Sequence, residues 1–140
     1  MKSPGLNGYN EKFVLKKRDF SWSARVRSFV FAWTGIIDFF KTEPNARIHL
    51  AATIIVTMLC LFFKVSKAEV MIILFSNGFV WVTEMLNTAI EKIIDFISIE
   101  KHSKIRFIKD VAAGAVLVAA ITSAVSGLII FVPKIWQWLN

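Results

Sequence analysis

The chain has 140 residues, of which 56% are hydrophobic, and a net charge of +7. With a mean hydropathy of +0.59 it is too apolar for an ordinary soluble domain, and long apolar runs make it a membrane protein. The basic excess flanks those runs, where it reports membrane orientation rather than nucleic-acid binding; the single cysteine, Cys60, lies inside one of them and has no partner in the chain.

Residues 1–20 read as a basic arm. Pro4, Gly5, Asn7 and Gly8 interrupt it, Lys12, Lys16, Lys17 and Arg18 charge it, and it contains no apolar core of signal-peptide type. Residues 21–140 read as one membrane-embedded, all-α domain. The stretch 22–41 repeats Phe29, Trp33, Ile36, Ile37 and Phe40 at helical spacing beside Arg25, Arg27 and Lys41, the pattern of an amphipathic helix lying at a membrane surface. Arg25 and Arg27 are placed to meet anionic lipid or a phosphate. Glu43-Pro44-Asn45 ends this helix, because proline disfavours helical geometry in the residue before it.

Three apolar spans follow, at about 46–64, 68–97 and 107–132, with Pro133 expected to end the last. The second is roughly 45 Å long as a helix, more than a hydrocarbon core of about 30 Å requires. The third is rich in Ala, Gly and Ser, which lets helices approach closely in lipid. Basic residues gather before the first span and again at Lys101, Lys104, Arg106 and Lys109, whereas the link between spans one and two holds only Lys64 and Lys67. The positive-inside rule therefore places the N-terminus and the 98–110 connection in the cytoplasm. Tryptophans near the span ends, including Trp22, Trp33, Trp136 and Trp138, read as interfacial anchors.

The second span then runs from outside to inside, and its cytoplasmic half carries Glu84, Asn87, Glu91 and Asp95. Spacings of 3, 4 and 4 keep these four within roughly 60–80° of arc on one helix face. A charged group at the centre of a membrane helix costs on the order of 2.5–3.5 kcal/mol. Aligned carboxylates at such a cost suggest a metal, proton or ion site; they can hold Mg²⁺, and one can take a proton in catalysis. The plainer alternative is that Glu91 and Asp95 are solvated where the helix leaves the membrane, paired with Lys92 or Lys101. It explains Glu84, the deepest of them, least well.

Lys109 and Asp110 open the third span at the same level. Lys109 either neutralises phosphate oxygens or snorkels to the interface, and Asp110 either supports a metal or is an acidic residue early in a helix. Glu43, Asn45, Arg47 and His49 lie before the first span on the same side. His49 and His102 lack any spacing typical of zinc ligands. No Gly-rich nucleotide loop and no serine nucleophile elbow is present, so any phosphate chemistry rests on carboxylate-held metal and basic side chains. From the residues alone, an oligomeric cation or proton pathway remains a rival reading.

The run Glu84-Met85-Leu86-Asn87-Thr88-Ala89-Ile90-Glu91, then Asp95, then Lys109-Asp110 with Ala112-Ala113-Gly114, resembles the small prokaryotic diacylglycerol kinases, from about Arg27 to Ile135. Ser126 to Lys134, and Glu43-x-Asn45-x-Arg47-x-His49, look more like the undecaprenol kinase branch of that family. The resemblance implies a homotrimer in the bacterial cytoplasmic membrane, with three transmembrane helices and a surface helix per chain. Its N-terminus and shared active sites would lie on the cytoplasmic side. It implies transfer of the γ-phosphate of ATP, with Mg²⁺, to the hydroxyl of a membrane lipid, either undecaprenol or diacylglycerol, with undecaprenol favoured. Glu84 matches the general base and Asn87 lies beside the reacting groups. Glu43 and Glu91 match metal-holding carboxylates, and Asp95, Lys109 and Asp110 match positions associated with the nucleotide. Phe31 and Ala46 depart from common family choices, which bears on adenine-side contacts and local packing.

Overall fold

The computed structural model describes residues 21–97 and 103–140. The expected basic arm, Lys101 and His102 lie outside them. The chain divides into two units, Met1–Trp33 and Thr34–Asn140. Within the first, Arg25 and Arg27 are exposed on one continuous helix. Four helices make up the described residues: α1 (Trp22–Thr42), α2 (Pro44–Phe62), α3 (Lys67–Ile97) and α4 (Ser103–Leu139). The last three are long and apolar enough to cross a membrane, as the hydropathy pattern requires.

The α1–α2 junction forms where expected. Glu43 N–H donates to Phe39 O at 2.9 Å, closing α1. Glu43 itself is extended, at φ −103 and ψ 113, and Pro44 takes the first turn of α2, where its missing N–H costs nothing. Arg47 Nη2 donates to Lys41 O at 3.2 Å, satisfying a carbonyl left free at the end of α1. Ala46 is wholly buried at this junction, so that position serves packing.

The α2–α3 turn is fixed by two capping devices. Lys64 takes a left-handed conformation, φ 48. Val65 N–H then reaches Cys60 O at 3.2 Å and Lys64 N–H reaches Leu61 O at 3.4 Å, the Schellman pattern. Ser66 and Glu69 complete a capping box: Glu69 N–H donates to Ser66 Oγ at 3.3 Å and Ser66 N–H to Glu69 Oε2 at 2.7 Å. Glu69 Oε1 also meets Lys134 Nζ on α4 at 3.1 Å, which ties the turn to the C-terminal part of α4. Above it Ile73, Ile130 and Phe131 form a buried cluster, joined by Val56, Leu59, Cys60, Phe63 and Val65.

The helix carrying Pro133 does not stop there, contrary to the expectation from sequence: α4 continues to Leu139 with Pro133 inside it. Proline removes one backbone donor and crowds the preceding turn, but neighbouring helices let a membrane helix absorb that loss. Lys134, bound to Glu69, and Trp138, whose ring lies 5.9 Å from that of Phe62, hold the continuing turns against the bundle. The helix also begins earlier than the apolar run, at Ser103, because its first turn is polar.

Small side chains let α4 approach α3 closely; Ala112 and Ala119 are both buried. Two polar pairs cross between helices deep in the span. Ser123 Oγ donates to Asn77 Oδ1 at 3.2 Å, and Trp81 Nε1 donates to Thr53 Oγ1 at 3.2 Å. Trp81 also stacks at ring distances of 6.3, 5.2 and 6.2 Å on Phe39, Phe40 and His49, joining three helices. Large apolar side chains such as Leu74, Phe75 and Leu117 face outward, where lipid is the natural solvent. Trp81→Ala is expected to cost about 3 kcal/mol, the lower end for removing a packed aromatic; unfolding of the reconstituted protein in graded SDS measures it, and an unchanged midpoint would remove Trp81 from this role.

Candidate active site

The four stripe residues share one face of α3 and grade in burial. Glu84 is 2% exposed and Asn87 8%, Glu91 is half-buried, and Asp95 is exposed. This is the order expected for a row that begins in the bundle and climbs toward water. Glu84 and Glu91 are two turns apart, about 10 Å along the axis.

Each residue beyond Glu84 has a defined partner. Asn87 Nδ2 donates to Glu91 Oε1 at 3.2 Å, an i,i+4 contact that holds the carboxylate against the helix. Asn87 Oδ1 is buried without a hydrogen-bond partner. Lys109 Nζ donates to Asp95 Oδ1 at 2.6 Å, so the base of α4 is bound to the shallow end of the stripe. Asp95 thus pairs across helices with Lys109; of the partners its plainer reading offered, Lys92 turns to Glu43 and Lys101 lies outside the described residues. Asp110 turns instead to Arg106, at 3.6 Å; both are well exposed, and this pair alone does not link Asp110 to the stripe.

Glu43 reaches the same end of the bundle from the α1–α2 junction, with Lys92 Nζ 3.5 Å from its Oε1. His49 packs on Trp81 and serves the aromatic cluster. Arg25 and Arg27 belong to the separately described segment up to Trp33, and their part in the site stays an expectation.

On the side of Glu84 away from Glu91, Asn77, Val80 and Trp81 of α3 help line an apolar cavity of about 550 Å³, whose walls also include His49, Thr53, Ser123 and Phe131. A second, of about 600 Å³, shares Thr53, Asn77 and Trp81 with it. Volumes of this size suit small-molecule or lipid-chain binding. Asn77 lies seven residues before Glu84 and so extends the stripe by two turns. That spacing was legible in the sequence, whereas its pairing with Ser123 on α4 was not. Lys92 was likewise visible only as a neighbour of Glu91.

Glu91 and Glu43 carry carboxylates of the type a hard divalent cation takes, and Asn87 Oδ1 is a buried acceptor with no hydrogen-bond partner. Among the described residues no three Asp, Glu, His or Cys side chains gather into a closed metal cage.

The family model for prokaryotic diacylglycerol kinase matches residues 30–131, which include the whole stripe, Glu43 and the Lys109–Asp110 pair. The chain is 41% identical over 109 residues to an undecaprenol kinase of Bacillus subtilis, a match spanning 78% of this chain and 89% of that protein. It is 32% identical over 109 residues to a diacylglycerol kinase of Synechocystis, spanning 77% of this chain and 62% of that one. A buried carboxylate stripe on a membrane helix, with a lysine bound at its shallow end, thus sits inside a match covering most of the chain, and the protein belongs to the prokaryotic diacylglycerol kinase family of lipid kinases.

Proposed function

We propose that this lipid kinase transfers the γ-phosphate of Mg-ATP to the single hydroxyl of undecaprenol, at the cytoplasmic face of the bacterial inner membrane, as a homotrimer with shared active sites. The observation that carries this reading is the burial gradient from Glu84 to Asp95 with Lys109 at its exposed end. It separates a dry end suited to a lipid hydroxyl from a wet end suited to a nucleotide. The choice of undecaprenol over diacylglycerol is supported by the 41% identity to an undecaprenol kinase and by the undecaprenol-kinase look of Ser126 to Lys134.

Glu84 accepts the proton of the lipid hydroxyl as its oxygen attacks the γ-phosphorus. The bond from that phosphorus to the β–γ bridging oxygen breaks, and ADP leaves. Asn87 stands one turn away, its Nδ2 fixing Glu91 and its Oδ1 facing the reacting groups. Glu91 and Glu43 would hold the metal, which when bound would neutralise charge on the phosphate oxygens. Lys109 exchanges Asp95 for phosphate oxygen, a swap of one charge-assisted bond for another; Asp95 and Asp110 flank the nucleotide, and Arg25 and Arg27 attract its phosphates. The apolar cavity on the side of Glu84 away from Glu91 receives the hydrocarbon chain. Phosphoryl transfer asks a protein mainly for positioning and charge stabilisation, and these residues are of the types that supply both.

Three measurements test this. Purified protein in mixed micelles with γ-labelled ATP is expected to label undecaprenol in preference to diacylglycerol; label on diacylglycerol alone would reverse the lipid assignment, and label on neither would reject this reading. Glu84→Gln is expected to lower kcat by about 10²-fold or more, the span of general-base catalysis, with nucleotide binding retained; loss of nucleotide binding by a folded variant would overturn the division of labour. In a Mg²⁺ titration Glu91→Gln should raise the concentration needed for half-maximal rate, and an unchanged metal dependence would exclude Glu91 as a ligand.

A further inference from the structure

Glu43 stands at the N-terminal boundary of α2, where an acidic side chain commonly caps the helix, yet it forms no such bond. Its neighbours on the chain are committed elsewhere. The Thr42 hydroxyl lies 3.5 Å from Glu43 Oε1 but donates its hydrogen to Asp38 O at 2.9 Å. Arg47, one turn on, donates to Lys41 O. The carboxylate is nonetheless largely withdrawn from solvent, its side chain 17% exposed, and its cationic partner is Lys92 at 3.5 Å, itself 66% exposed. Lys92 follows Glu91 directly, about 100° further round α3. A single step along the helix therefore sends one side chain to Asn87 and the next to Glu43.

We infer that Lys92 is the resident counter-cation of Glu43: a positioning residue that keeps this carboxylate aimed while no metal is bound, and that yields its place to the divalent cation when metal-nucleotide arrives. This rests on the reading of Glu43 as a metal-holding residue. The weakness of the contact is what suits it to the role. A long, mostly exposed lysine contributes little to stability through one ion pair, and its ammonium is a point charge on a flexible stem. Such a group neutralises a half-buried carboxylate at little conformational cost and is readily displaced by a hard divalent ion, for which carboxylate oxygens are preferred ligands. A well-packed bidentate arginine at the same place would resist exchange.

The test is Mn²⁺ binding to the full chain in nanodiscs of neutral phosphatidylcholine, without nucleotide, followed by the electron paramagnetic resonance signal of free Mn²⁺. Lys92→Gln removes the competing charge, and Mn²⁺ affinity is expected to rise roughly two- to fivefold, the span of an exposed ion pair. Lys92→Arg, which keeps the charge and can grip the carboxylate in two places, should bind Mn²⁺ no more tightly than wild type. In a Glu43→Gln background, substitution of Lys92 should no longer alter affinity, because the effect passes through that carboxylate. Equal or weaker binding by Lys92→Gln, where Glu43→Gln does weaken binding, overturns the counter-cation role and leaves Glu43 as a ligand. Unchanged binding in Glu43→Gln alone overturns both. Uptake by Lys92→Gln but not by wild type supports the inference in its strongest form, and uptake by neither overturns it.

Discussion

A carboxylate cannot face lipid, and the architecture follows from hiding Glu84. The residue is 2% exposed on a helix otherwise suited to a bilayer. In hydrocarbon, an ionisable side chain has to face protein or a water-filled cavity. Close packing of α4 along α3, through small residues such as Ala112 and Ala119, provides that cover and sets where the rest of the stripe emerges. Glu91 and Asp95 then fall two and three turns further along the same face, into progressively wetter surroundings. The gradient in burial is thus a geometric consequence of one helix face leaving the bundle.

The two ends of the bundle are held together by different physics. At the α2–α3 turn, backbone caps, the Ser66–Glu69 box, the Lys134 contact and the Ile73–Ile130–Phe131 cluster reinforce one another. Such mutually supporting contacts give a rigid end. At the stripe end, the helix-to-helix ties are charge pairs with at least one exposed partner: Lys109 with Asp95 and Lys92 with Glu43. Pairs of that kind contribute little to stability and exchange easily. The exchangeable contacts thus lie at the end where the proposed function places the nucleotide.

Much of this was legible in the sequence, because helical periodicity and hydropathy are local signals. The three spans, the break at Glu43-Pro44, and the common face of Glu84, Asn87, Glu91 and Asp95 all depend on spacing alone. Pro133 misled because a helix-breaking residue was read without the packing that carries the helix past it. The Ser66-Lys67-Ala68-Glu69 capping box was equally local and was passed over in favour of the apolar run beginning beside it. Pairings between distant residues had no sequence signal. Lys109 meets Asp95, Lys92 meets Glu43, and Ser123 meets Asn77 only because α3 and its neighbours pack in one register.

The register also bears on why the stripe reads as a catalytic row and not as a route through the membrane. Conduction of a cation or proton needs polar groups, or water, continuing from one face to the other. Beyond Glu84 the polar groups on this side of α3 do not continue as a free row. Asn77 is engaged by Ser123 and the Trp81 indole by Thr53, and the cavity they border is walled largely by side chains such as Val56, Leu59, Leu128 and Phe131. A hydrocarbon chain is at home in such a cavity and an ion is not. The next groups along this side of α3 thus line an apolar cavity and not a polar path, which supports the proposed substrate, a hydroxyl on a long hydrocarbon tail, over an ion pathway.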